Sequence, residues 1–302
     1  VTAPGALLVV GDVVTDVVAV HPEPLTPATD TAARIRTLPG GAGANAACWA
    51  AHAGVAEVRL LARVGTESAR WHEQSLRDCG VRPRLVIDPA APTGTVVALV
   101  GKDAERTFLT DSGAALRLCP EDWAPALLDG AAHLHLSGYL FFADSSRELA
   151  LVALRAARAR GVPVSVDPAS AGFLVALGPQ RFLDAVAGVG VLLPNEDEAR
   201  LLAGLPAAAG AAGAARAAAE LSRRVPLVVV TRGAAGALVA ETGRVTAEVS
   251  AESARAVDST GAGDAFTGGF LAARLAGAAP ADAARAGCRA AAQAVSRLGG
   301  RP

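Results

Sequence analysis

The sequence predicts an α/β fold built on a mostly parallel sheet, and three observations predict it. From about residue 131 onward, strand-like runs (132–136, 162–166, 189–193 and 227–231) alternate with helix-like ones such as 146–160. That alternation is the mark of strands joined by crossover helices. The chain of 302 residues is 52% hydrophobic yet only 4% aromatic, so its core must be made of Ala, Val and Leu. Such a core suits helices packed closely on a Val-rich sheet rather than a β-sandwich. Thirdly, strand-like runs 95–100 and 106–110 flank the polar stretch Gly101-Lys102-Asp103-Ala104-Glu105 at hairpin spacing, apart from the alternating pattern.

Taken in order, the chain opens with a β-like run at 6–10, passes Gly11 and Asp12, and continues as a Val-rich run at 13–20. Asp12 and Asp16 then share one face. A Pro/Thr-rich loop at 21–30 leads to a further run at 31–38 and to the cluster Gly40-Gly41-Ala42-Gly43-Ala44-Asn45, from which a helix is predicted as far as Gly54. The runs 13–20, 31–38, 95–100 and 106–110 are the predicted strands of a small lid beside the main sheet. The Ala-rich stretch 207–220 is read as a helix, because Ala is the best helix former. No linker divides the chain, so residues 1–302 are read as one domain carrying a lid.

In open parallel sheets ligands bind beyond the carboxyl ends of the strands. The polar residues just after each strand therefore stand out: Asp167, Asn195, Thr231, Arg232 and Asp258.

Composition excludes several partners. The formal net charge is −1 and no polybasic run occurs, which argues against nucleic acid and anionic membrane. No uncharged apolar run approaches the length of a membrane span, and the apolar stretch 6–10 is too short for a signal peptide. Cys48, Cys79, Cys119 and Cys288 are widely spaced, so they read as reduced thiols of a cytoplasmic protein. The five histidines, His133 and His135 among them, have no third ligand at zinc spacing and are assigned no role.

The segment most informative about chemistry is Val257-Asp258-Ser259-Thr260-Gly261-Ala262-Gly263-Asp264-Ala265-Phe266. Glycines at a helix start let a phosphate approach unpaired backbone N–H groups and the positive end of the helix dipole. Gly261, Ala262 and Gly263 are thus a candidate anion cradle. Asp264, in the first turn beside it, is placed to accept the proton of an attacking hydroxyl during phosphoryl transfer. Alone, the segment also reads as Thr260 capping a helix and Asp264 complementing its dipole.

In the first cluster, Gly40 and Gly41 allow close approach of a ligand. Asn45 offers the donor and acceptor that a sugar hydroxyl needs, and Asp16 can accept two hydroxyls of a vicinal diol. Gly41-Ala42-Gly43-Ala44-Asn45-Ala46 also fits a dinucleotide fingerprint. Pro39 directly before it, and the absence of an acidic residue near Arg63, count against a dehydrogenase. No Gly-Lys precedes a Ser or Thr, so there is no P-loop.

Together, Gly40 to Ala47 and Asp258 to Phe266 resemble the two signatures of the ribokinase (PfkB) family of carbohydrate kinases, and the resemblance runs through the whole chain. It implies a ribokinase-like three-layer αβα fold with a small β-sheet lid. It also implies an ATP-dependent phosphotransferase acting on the hydroxymethyl group of a small sugar. The alternatives are a nucleoside kinase of the same fold and a catalytically silent sugar-binding relative. By resemblance Asp264 is the base, Gly261, Ala262 and Gly263 form the anion hole, and Asp16, Gly41 and Asn45 bind substrate.

Asn195 and Glu198 match the family's Asn-x-x-Glu element, whose Glu organises Mg2+ through water; Asn195 also reads simply as a helix cap and Glu198 as a first-turn acid. Thr231, Gly233 and Gly236 fall in the segment that lines the ATP site. Asp258 and Thr260, with carbonyls near Ala294 and Gly299, match the monovalent-cation site of many relatives, which makes K+ activation an expectation. Relatives often pair through their lids, so a homodimer is a further expectation. Ala42 and Val14 depart from ribokinases proper, which carry Lys and Asn there. Tyr139 is placed to stack on a sugar or base, or else to pack, and Arg106 to meet a carboxylate or else solvent.

Overall fold

The computed structural model describes residues 5–101, 106–206 and 210–302. Strand β1 (Ala6–Val10) is an interior strand of the main sheet, and all five of its residues are buried. Its alternation explains the two layers of helix around it. Leu7 and Val9 belong to one apolar core, whereas Leu8 and Val10 belong to another on the opposite face. A strand covered on both faces reads as an unbroken apolar run, which is what β1 is.

Past Asp12 the chain leaves this sheet as β2 (Val14–Val20), turns back as β3 (Arg34–Gly40), and enters helix α1 (Ala42–His52). Then come β4 (Val58–Gly65), α2 (Ala69–Asp78), β5 (Val81–Asp88), β6 (Thr93–Val100) and β7 (Arg106–Gly113). The second half continues with β8 (Ala131–Ser137), α3 (Asp144–Ala159), β9 (Val164–Asp167), α4 (Ala171–Leu177), α5 (Pro179–Ala185), β10 (Val191–Leu192) and α6 (Glu196–Leu202). It closes with α7 (Gly210–Leu221), β11 (Leu227–Thr231), β12 (Ala237–Glu241), β13 (Arg244–Val249), α8 (Ala262–Leu275) and α9 (Pro280–Val295).

The main sheet has the order β13-β12-β11-β10-β9-β8-β1-β4-β5. From β11 to β5 every pairing is parallel, and β12 and β13 add an antiparallel edge. Helices α1, α8 and α9 cover one face through Cys48, Phe266, Phe270 and Ala284, while α3, α5, α6 and α7 cover the other through Leu149, Phe182, Ala199 and Ala217. Each fully buried Leu, Val or Phe contributes about 1.5–3 kcal/mol relative to exposure. A separate four-stranded sheet has the order β3-β2-β6-β7, antiparallel except for the β2–β6 pair.

The α/β class, the parallel alternation and the small sheet agree with the sequence reading. The strands of the small sheet differ in their bounds, most of all β3, which runs on through Pro39 to Gly40. Pro39 does not end it because β3 is an edge strand, where a missing N–H costs no interior ladder bond. The glycine cluster therefore does follow a strand, but one of the small sheet rather than the strand of a parallel βαβ unit. The turn at 102–105, the side chain of Arg106 and residues 207–209 of the Ala-rich stretch lie outside the described residues; that stretch is helical from Gly210. Among the described residues, no helix is long and apolar enough to cross a membrane.

Candidate active site

A cavity of about 690 Å³ lies where the small sheet faces the carboxyl ends of β1, β8, β9 and β11. Its floor is held by Asp12, two residues past the end of β1. The Asp12 carboxylate accepts hydrogen bonds from Ala42 N (2.7 Å), Gly43 N (3.1 Å) and Ser137 Oγ (2.8 Å). It thereby satisfies two of the N–H groups that the first turn of α1 leaves open. Gly41, at φ 102°, makes the turn into that helix, and a Cβ there would stand 2.5 Å from the Asp12 carbonyl.

Helix α1 delivers Asn45, and α8 delivers Asp264 from the far end of the chain. Asn45 Nδ2 donates to Asp264 Oδ2 at 2.9 Å, while Asn45 Oδ1 is buried without a partner. Gly261 opens α8 in the left-handed region at φ 73°. A side chain there is excluded, since its Cβ would lie 2.5 Å from Gly300 Cα. At Gly263 a Cβ would meet nothing within 4 Å, so the first turn faces open space. The Ala262 N–H makes only a long bond to Ser259 O, at 3.3 Å.

Asp258 fastens this loop. Its carboxylate accepts from Thr260 N (2.6 Å) and Gly299 N (3.0 Å), and Trp49 Nε1 donates to Gly300 O at 2.9 Å. Asp16, on β2, is held against the chain at Gly40, where an added Cβ would lie 2.2 Å from its carboxylate. Buried Arg301 reaches the same place, donating to Gly40 O (3.2 Å) and Ser75 Oγ (2.7 Å).

On the opposite wall, Asn195 and Glu198 form a capping box at the start of α6. Asn195 Oδ1 accepts from Glu198 N, and Glu198 Oε2 accepts from Asn195 N, both at 2.9 Å. Asp167 accepts from Ala169 N (2.8 Å) and Thr267 Oγ1 (3.2 Å).

Five carboxylates thus line one cavity: Asp12, Asp16, Asp167, Glu198 and Asp264. Burial, and then the charge of Asp12, push Asp16 up to about 7 against the opposing pull of Arg301. Burial, reinforced by Asp167, pushes Glu198 up to about 8. Burial raises Asp167 to about 6, and it raises Asp264 well above the ordinary carboxylate range despite the bond from Asn45. The arrangement calls for positive charge or for protons. Among the described residues no three His, Cys, Asp or Glu side chains converge on a metal.

The structure brings Asp16, Gly41, Asn45, Asn195, Glu198, Thr231, Thr260, Gly261, Ala262, Gly263 and Asp264 to this cavity. Gly40 and Asp258 lie just behind it. Gly233 and Gly236, both at positive φ, shape the turn between β11 and β12 and do not line it. Tyr139 lines the cavity while packing edge-on against Phe142 and Phe173. His133 and His135 both hydrogen-bond to Ser165 Oγ at 2.9 Å within the sheet. The sequence reading missed the anchoring work of Asp12 and Thr267 and the reach of Arg301. For Asp12 a signal was present, since only Gly11 separates it from the carboxyl end of a buried strand.

Residues 5–302 match the pfkB family of carbohydrate kinases. A fructokinase from Klebsiella pneumoniae is 32% identical over 276 residues, covering 89% of this chain and 84% of that protein. A ribokinase from Mus musculus is 29% identical over 269 residues, covering 87% of this chain and 80% of its own. Among solved structures, a ribokinase from Cryptococcus neoformans var. grubii serotype A in complex with ADP superposes with a TM-score of 0.83 at 25% identity, covering 98% of this chain and 95% of that one. A probable sugar kinase from Rhizobium etli CFN 42 shares the fold, with a TM-score of 0.89 at 23% identity and coverage of 100% and 96%. With the match spanning both sheets and every helix, the chain belongs to the pfkB family of carbohydrate kinases, phosphotransferases that act on a sugar hydroxyl.

Proposed function

We propose that this kinase transfers the γ-phosphoryl group of ATP to the hydroxymethyl group of a sugar, with Asp264 as the base. The observation that carries the reading is the juxtaposition of Asp264, fixed by Asn45 at 2.9 Å, with the open first turn of α8 at Gly263. As the acceptor oxygen bonds to the γ-phosphorus, the bond to the β–γ bridging oxygen breaks and ADP leaves. The hydroxyl proton passes to Asp264. Backbone N–H groups of Gly261, Ala262 and Gly263 stabilise the charge on the transferred group, and the transition state needs this positioning more than a strong base. Asp16 takes a vicinal diol of the acceptor, and the orphaned Asn45 Oδ1 accepts a hydrogen bond from an acceptor hydroxyl. Asn195 and Thr231 stand on the nucleotide side.

A magnesium ion fits this charge distribution if it is held through water. Glu198 is destabilised as an anion by burial and by Asp167, and Asp167 by burial and by Asp12, and no direct ligand cluster exists among the described residues. When bound, the ion neutralises phosphate charge. The fit to a monovalent cation at Asp258 is weaker, since that carboxylate accepts N–H from Thr260 and Gly299, and Ala294 O accepts from Arg297 N. For the small sheet we propose pairing with a second copy, supported by the apolar side chains Ile35 and Leu109, 65% and 58% exposed on its outer face.

ADP release with ATP and Mg2+ tests the reading. Asp264→Asn should lower kcat by about 10²–10⁴-fold with the fold and ATP binding intact. An unchanged rate removes Asp264 from the chemistry.

A further inference from the structure

Arg301 is a buried cation with no carboxylate beside it. The residue is 8% exposed, it makes no ion pair among the described residues, and its Nε has no hydrogen-bond partner. The two groups it does hold, Gly40 O and Ser75 Oγ, are neutral. A neutral side chain suffices to brace both, whereas a buried charge without a partner costs several kcal/mol. Bracing alone therefore leaves the charge unexplained.

Its surroundings show what the charge acts on. Gly40 backs directly onto the Asp16 carboxylate, and among the described residues Asp16 is the one carboxylate whose charge acts on Arg301. No Lys, Arg or His among the described residues lines the cavity, against five carboxylates, so Arg301 supplies positive charge from behind its wall. The strand neighbours of Asp16, Leu38 and Val96, are apolar, while Asp12, Asp258 and Asp264 surround it with negative charge. Around Arg301 itself stand His72 of α2, the Cys48 thiol of α1 and the Cys79 thiol just past α2. Burial, and then Arg301, push His72 down to about 4, so it brings no competing charge at neutral pH. A vicinal diol offers Asp16 two O–H donors. An ionised carboxylate accepts both, whereas a protonated one turns its own O–H toward them.

We propose that Arg301 is a positioning residue for the acceptor: its guanidinium keeps the Asp16 carboxylate ionised, and its bond to Gly40 O fixes the backbone on which that carboxylate rests. The inference rests on the role proposed above for Asp16 in binding a diol. Arg301 does not line the cavity, so its loss falls on KM rather than on kcat. Burial and Asp12 already push Asp16 up to about 7 against the pull of Arg301. Without that pull Asp16 holds its proton to higher pH, and acceptor binding weakens most on the acid side.

The test measures ADP release with ATP and Mg2+ as a function of pH, offering ribose, fructose, ketodeoxygluconate, adenosine and cytidine. The best acceptor is then followed in the parent chain, Arg301→Gln, Arg301→Lys, Asp16→Asn and the Asp16→Asn/Arg301→Gln double variant. In the parent, its KM should fall as pH rises through about 7. Arg301→Gln, which can still donate to Gly40 O, should raise KM about tenfold near pH 6 and hardly at all near about pH 9, at nearly constant kcat. Arg301→Lys, which keeps the charge, should restore the parent profile. In the Asp16→Asn background, Arg301→Gln should change KM by less than about twofold. That arm also separates Asp16 from Cys79, a thiol brought down to about 7 by its bond with Cys48. A KM raised evenly at every pH, a rise that persists beside Asp16→Asn, or a loss of kcat at unchanged KM overturns the proposal. Should Arg301→Gln fail to fold, Arg301→Lys decides: the parent profile supports the charge role, and a KM raised evenly across the range overturns it. Asp16→Asn with the parent's KM defeats the diol reading and this proposal with it, while silence toward all five acceptors from folded, ATP-binding protein defeats the kinase reading itself.

Discussion

Glu198 combines two roles that pull on its charge in opposite directions. As the third residue of a capping box it accepts a backbone N–H, which favours the carboxylate, while burial beside Asp167 disfavours it more strongly. Its folded value of about 8 lies above the ordinary 4.5, so the native state holds the proton more tightly than the unfolded chain. The stability this contributes is fully present below about pH 4.5 and is lost as pH rises through about 8. Glu198→Gln keeps an acceptor for Asn195 N and removes the titration. The melting temperature of the variant, relative to the parent without magnesium, should therefore climb between about pH 5 and 8 and level off above. Thermal denaturation across that range checks it, and a difference that stays flat would mean that Glu198 is ionised throughout in the native protein.

Helices α1 and α8 carry Asn45 and Asp264, the pair proposed above to do the chemistry, and they meet through a glycine. A Cβ on Gly268 would stand 2.6 Å from Trp49 Cβ and 2.7 Å from Ala46 O. In an open helix Gly→Ala stabilises by about 0.5–1 kcal/mol. Here overpacking, typically about 1–3 kcal/mol, opposes it and wins, because backbone cannot yield as a side-chain tip can. Gly268→Ala should lower stability in urea denaturation by roughly 1–2 kcal/mol net and reduce kcat by moving Asn45 relative to Asp264. At this scale much of the fold was legible. Strands buried on both faces show as apolar runs, and the helix start at Gly261 shows as small residues ending in an acid. Strand β5 was not, since Arg82, Pro83 and Arg84 interrupt its pattern at the edge of the sheet. Nor could residue patterns show that Asp12 ties α1 to β8, or that Arg301 reaches Gly40. Those contacts depend on which strands become neighbours, and that choice is not local.

Across the whole molecule, the site is a seam between the two ends of the chain and the two sheets. Asp12, Asp16 and Asn45 come from the first segment, Asp167 and Glu198 from the middle, and Asp264 with its bracing Gly299–Gly300 from the last. The main sheet supplies the floor, and the small sheet supplies the facing wall.

The Asn45–Asp264 hydrogen bond joins residues 219 positions apart. Contacts of such separation form slowly, whereas helices and hairpins form early. The centre of the enzyme is consequently a late product of folding. After dilution from urea, helical circular dichroism should return before phosphoryl transfer does, and recovery of both in one phase would contradict that order. With the roles proposed above, an unfinished chain cannot spend ATP on water, because Asn45 and Asp264 meet only when the two ends have closed on each other.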